Sequence, residues 1–109
     1  MTPPEAIRAA ITRARTAGLT IEPGASFTLA TDRVTACCAL GAVLLANGLG
    51  PADSVMRAGP ILGVNAWWLR RFMLGFDRGF VAAILNDKGE VVGHDEVGTL
   101  GVSVRRWCR

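Results

Sequence analysis

Residues 36–46 (ACCALGAVLLA) form a continuous apolar run, and this run constrains the fold more than any other part of the chain. It reads as a helix that is apolar on every side, and such a helix must be surrounded by other elements. Thr35 is its expected N-cap, and Asn47 and Gly48 its expected end. The run is too short to span a bilayer, and Asn47, Gly48 and Gly50 break the apolar character of the next residues, so it is expected at the centre of a core. With 109 residues, the chain is read as one domain, 1–109, that buries roughly 65% of its unfolded surface.

The flanking segments supply elements to surround that helix. Thr2, Pro3 and Glu5 make a Thr-x-x-Glu capping box with proline at the first helical position. Ile7, Ala10, Ile11 and Ala14 then recur at helical spacing, and Gly18 is a natural stop. Residues 19–33 read as a loop with one short strand at 26–30. A short third helix is expected over 51–57, ended by the Gly59-Pro60 pair. A fourth runs from 65 to about 75, with Trp68, Leu69, Phe72 and Met73 on one face. The apolar run Phe80–Leu85, the Asn86-Asp87-Lys88-Gly89 turn and Glu90-Val91-Val92 suggest a small hairpin. Asp95 caps a last helix carrying Val97, Leu100, Gly101, Val104 and Trp107 on one face. The expected fold class is mostly α (α+β), a compact bundle of four to five helices around a central apolar helix, with a small β-hairpin.

Half of the residues are apolar and 19% are charged, which excludes disorder. The net charge of +3 favours contact with a phosphate-bearing partner. Of the twelve basic residues, only Lys88 is not arginine, and arginine grips phosphate and carboxylate through two parallel hydrogen bonds. Three cysteines, two of them adjacent, do not make a disulfide framework and suit a reducing compartment. No secretory leader pattern opens the sequence. The expectation is a soluble, cytoplasmic protein without a membrane partner.

The segment 58–76 (AGPILGVNAWWLRRFMLGF) holds the clearest hint of a partner. Ala58, Leu62, Gly63, Val64, Leu69 and Phe72 approach the register of a helix-turn-helix unit, with Arg70 and Arg71 placed to meet phosphates or base edges. Pro60 and the bulky Trp67-Trp68 pair argue against that reading. Trp67 lies one turn before Arg70 and Arg71, opposite the apolar stripe. An exposed indole beside guanidinium groups can stack a base while the cations hold phosphate. Cys37 and Cys38 fall in the expected first turn of the second helix, where amide groups lower a thiol pKa, and His94 would be the base of a thiol nucleophile. Their apolar setting favours core cysteines instead. Cys37, Cys38, His94 and Cys108 lack the paired spacing of a zinc site. No phosphate-binding loop or dinucleotide fingerprint occurs.

The Cys38-Ala39-Leu40-Gly41-Ala42 segment, together with Gly75-Phe76-Asp77-Arg78-Gly79, resembles a loose group of small uncharacterised bacterial and phage-associated proteins. In that group a Cys-x-Leu-Gly-Ala helix precedes a Leu-Gly-Val step and an aromatic-rich helix. The similarity covers residues 36–79 and implies no particular activity. Leu62-Gly63-Val64 also resembles the turn of helix-turn-helix regulators, from which Pro60 departs. The functional expectation is a non-catalytic binding or interaction module with neither metal nor cofactor. Its surface comprises Trp67, Arg70 and Arg71, joined by Arg105 and Arg106, and its partner is a nucleotide or nucleic acid. The alternatives are a duplex-DNA-binding protein, a structural homo-oligomer using Trp67 and Trp107, and a cysteine-dependent enzyme.

Overall fold

The computed structural model describes residues 1–79 and 81–109. Five α-helices and five short strands in two sheets give these residues a mixed α+β fold. The chain divides into two compact units, Met1–Ala66 and Trp67–Arg109.

The first unit opens with α1 (Pro3–Thr16), where the sequence pattern is realised residue by residue. The Thr2 hydroxyl oxygen accepts from the Glu5 amide and its O–H donates to the Glu5 carboxylate, so the capping pair closes through side chains. Ile7, Ala10, Ile11 and Ala14 are the buried face, and they pack against α2 (Ala39–Ala46). Leu40, Val43 and Leu44 of α2 are fully enclosed, as an all-apolar helix requires.

The entry to α2 differs from the expected one. Residues 19–37 build a three-stranded sheet in the order β1-β3-β2, from β1 (Thr20–Ile21), β2 (Phe27–Ala30) and β3 (Arg33–Cys37). Ala36 and Cys37 are therefore strand residues, and Cys38, not Thr35, is the N-cap of α2. The β3 backbone pairs with β1 on one side, Ile21 facing Cys37, and with β2 on the other, Phe27 facing Cys37. That two-sided pairing sets the conformation of the Ala36-Cys37 segment, and cysteine has little helical preference to oppose it. Cys38 donates its backbone N–H to the Ser26 carbonyl, and its sulfur accepts from the Gly41 amide at 3.4 Å. A Cβ on Gly41 would overlap the Ser26 carbonyl oxygen, so only glycine fits where α2 starts beside β2.

A second departure lies at Gly59-Pro60. A 3₁₀ turn over Val55–Arg57 leads directly into α3 (Ala58–Leu62), which runs through that pair. Pro60 occupies the third position of α3, where the backbone N–H has no intrahelical acceptor to lose. Gly63, at φ +72°, ends the helix in the left-handed conformation.

The second unit consists of α4 (Ala66–Arg78), a hairpin of β4 (Ala83–Leu85) and β5 (Val91–His94), and α5 (Glu96–Cys108). The expected hairpin is present. The start of its predicted first arm, at Phe80, lies outside the described residues. Trp68, Phe72 and Phe76 stack along α4, with centroids 5.5 and 6.1 Å apart. Two glycines govern how α4 meets α5. A Cβ on Gly75 would overlap the Gly98 carbonyl, and one on Gly101 would overlap the Phe72 carbonyl and stand 2.6 Å from the Phe76 nitrogen.

Two substitutions test these constraints. The β2–β3 connection places Thr31 and Asp32 at φ +51° and +63°, the left-handed pair that a two-residue hairpin turn prefers to fill with Asn-Gly. The Thr31→Asn/Asp32→Gly double variant should stabilise the protein by about 1 kcal/mol in urea melts, because it relieves that strain. Gly101→Ala should destabilise by about 3 kcal/mol, since the neighbour it strikes is backbone that cannot rotate away.

Candidate functional site: the cleft at the start of α4 and α5

The segment leading into α5 sets the geometry. Asp95, 5% exposed, is the N-cap of α5. One carboxylate oxygen accepts from the Gly98 amide at 2.9 Å, and the other accepts from Nε of Arg71 at 2.5 Å. Its backbone N–H donates to the Ala82 carbonyl, which fixes the end of the hairpin to the same residue. Burial alone would raise the Asp95 pKa; the Arg71 guanidinium and the Gly98 amide outweigh it and hold the carboxyl below its usual range.

A cleft of about 460 Å³ opens beside this pair, lined by Trp67, Arg71, Ile84, His94, Asp95, Glu96 and Val97. Trp67 precedes Arg71 by one helical turn, so both project to the same side of α4. The indole is 59% exposed and stands outside the Trp68–Phe72–Phe76 stack. The ion pair uses Nε of Arg71, and the two terminal nitrogens carry its remaining donors. An arginine oriented in this way is a preorganised donor, and its rotamer need not be fixed again when a ligand arrives.

The other arginines read from the sequence fall elsewhere. Arg70 points round α4 into a shallow recess with Met73, Leu74, Asp77 and Arg78. Arg105 donates to the Asp77 carbonyl at 3.4 Å and so ties down the C-terminal end of α4, where a cation also suits the helix dipole. Arg106 is exposed in the last turn of α5. The structure thus gathers Trp67 and Arg71 into one cleft, and Arg70, Arg105 and Arg106 do not line it. Ile84 and Glu96 join the cleft without any signal in the sequence, because one sits on the hairpin and the other in the first turn of α5. Asp95 is legible as a cap, but its pairing with Arg71, 24 positions away, is not.

Cys37 and Cys38 are buried in the first unit, whereas His94 belongs to the second. Burial, with Cys38 beside it, pushes the Cys37 thiol up to about 11, away from the thiolate that a nucleophile needs. Among the described residues no group of three His, Cys, Asp or Glu side chains is placed to hold a metal ion, and no helix is long and apolar enough to cross a membrane. No protein family, curated protein or solved structure matches the chain.

The depressed Asp95 pKa has a consequence for stability. On acidification the unfolded chain takes up this proton before the folded one does. The contribution is therefore complete above the ordinary carboxylate range and is lost as the pH falls through the lower folded value. Urea melts from neutral pH into the acid range should show a steeper loss for the wild type than for Asp95→Asn. Parallel pH profiles for the two proteins would rule out this role.

Proposed function

We propose that this protein is a non-catalytic binding domain whose cleft takes a nucleotide-type ligand, a planar ring joined to an anionic group. The observation that carries this reading is the exposed indole of Trp67 beside an Arg71 whose orientation is set by Asp95. The ring stacks on Trp67, and the anionic group meets the terminal nitrogens of Arg71. His94 and Glu96 at the rim offer polar partners to a sugar or to exocyclic groups. A single base stacked on an aromatic side chain gains roughly 1–3 kcal/mol.

Duplex DNA is the second reading, supported by the exposed Arg70 and Arg78 further along α4. The Glu96 carboxylate beside the cleft repels a continuous phosphate backbone more than a lone phosphate, which favours the smaller ligand.

Native mass spectrometry of freshly purified protein should show an adduct of nucleotide mass that is lost on denaturation. In calorimetric titrations with mono- and dinucleotides, Trp67→Ala should weaken binding about tenfold, in line with the loss of one stacked ring. Arg71→Lys, which keeps the charge beside Asp95, should weaken phosphate-bearing ligands more than nucleosides. Binding of duplex DNA that falls steeply with salt, with no response to nucleotides, would support the second reading instead.

A further inference from the structure

The hairpin of the second unit leaves an unusual amount of apolar surface in water. Ile84, Leu85, Val91 and Val92 are 50–62% exposed, and Trp67 adds its indole next to Ile84. Isolated two-stranded hairpins are marginal, and surface of this kind marks an interface more often than a free face.

The two edges of the hairpin are not equivalent. β5 is bounded by Glu90 and Asp95, and one extra residue, Val92, interrupts its register between the Ile84–Gly93 and Leu85–Val91 pairs. Charges and bulges are the devices that keep an edge from pairing with another strand. β4 (Ala83-Ile84-Leu85) carries none of them. Its hydrogen-bond direction is set by the ends of the ladder: the Asp95 amide donates to the Ala82 carbonyl, and the Asn86 amide to the Glu90 carbonyl. Positions 82, 84 and 86 therefore face β5, and by the alternation of an antiparallel ladder the backbone groups of Ala83 and Leu85 face outward.

We infer that β4 pairs antiparallel with β4 of a second copy of this chain, about a two-fold axis through Ile84, to make a four-stranded sheet. In that register Ala83 lies opposite Leu85 of the second copy and Leu85 opposite its Ala83, so the outward N–H and C=O groups of both strands are satisfied. Ile84 meets Ile84 of the second copy as a non-hydrogen-bonded pair, the arrangement with the closest side chains. The flanking residues agree: Ala82 falls opposite Asn86 and Val81 opposite Asp87, with no like charges facing each other. A protein of net charge +3 meets its own copy most easily on a strip without basic residues, and β4 is such a strip. A two-fold contact demands a self-complementary surface, which a short uncharged strand provides.

The paired strands and the side chains around them bury less than the roughly 800 Å² per partner of a standard interface, so the dimer is reversible. Ile84 also lines the Trp67 cleft, and Ile84 of the second copy extends that wall. The pairing does not depend on which ligand the cleft takes.

Sedimentation equilibrium on the full chain, from nanomolar to high micromolar concentration, should show a monomer–dimer equilibrium. Residue 84 faces itself across the axis, so Ile84→Lys and Ile84→Glu should each be monomeric over the same range. An equimolar mixture of the two should recover the dimer. Circular dichroism of each variant checks that this half-exposed site has not cost the fold. A wild type that stays monomeric throughout, a wild-type assembly larger than a dimer, a single variant that still dimerises, or a mixture that stays monomeric would each overturn the proposal.

Discussion

Asp95 holds the second unit together because it completes three different elements at once. Its carboxylate caps α5 with one oxygen and receives Arg71 of α4 with the other, while its amide closes the hairpin on Ala82. Each of these groups would otherwise be a polar orphan near a buried position, where an unmade hydrogen bond costs more than a made one contributes. The arrangement requires α4 and α5 to lie within reach of each other. Glycines at 75 and 101 permit this by removing the side chains that would keep the two backbones apart. The ion pair and the glycine contact therefore depend on each other.

The cleft inherits its character from that requirement. Once Nε of Arg71 is fixed on Asp95, the same arginine is oriented in the cleft that Trp67 also lines, so in the proposed function a packing device doubles as a recognition device. Trp67 is left out of the aromatic stack because the buried stripe of α4 runs through Leu69, Phe72 and Phe76. The helix period then turns position 67 away from that stripe. Trp67 is thereby left accessible, as the proposed stacking role requires.

The first unit shows a different use of local chemistry. There the apolar run is divided between a strand and a helix, and a buried cysteine performs the capping that serine or threonine usually performs. The division places Cys37 in the middle of a three-stranded sheet and raises its pKa by the same burial that makes it useful for packing. A thiol in that setting is a core side chain.

Local signals carried part of this protein without help. The Thr2 cap, the buried stripe of α1, the stripe of α4, the Asn86–Gly89 turn and the Asp95 cap were all legible, because each depends on residues within about one helical turn or one hairpin of each other. Tertiary structure decided whatever depended on partners far along the chain. The strand character of residues 33–37 depends on β1 and β2 flanking it, and no periodicity within ACC announces them. Pro60 reads as a break until its place in the first turn of α3 is known. The choice among five candidate site residues likewise could not be made from spacing. Arginines 70 and 71 are neighbours in sequence, yet a rotation of about 100° per residue around the helix sends one toward Asp95 and the other into a different recess. Charge and aromatic content suggested the kind of partner to look for, and only the long-range pairing of Arg71 with Asp95 decided which of the candidate side chains share one cleft.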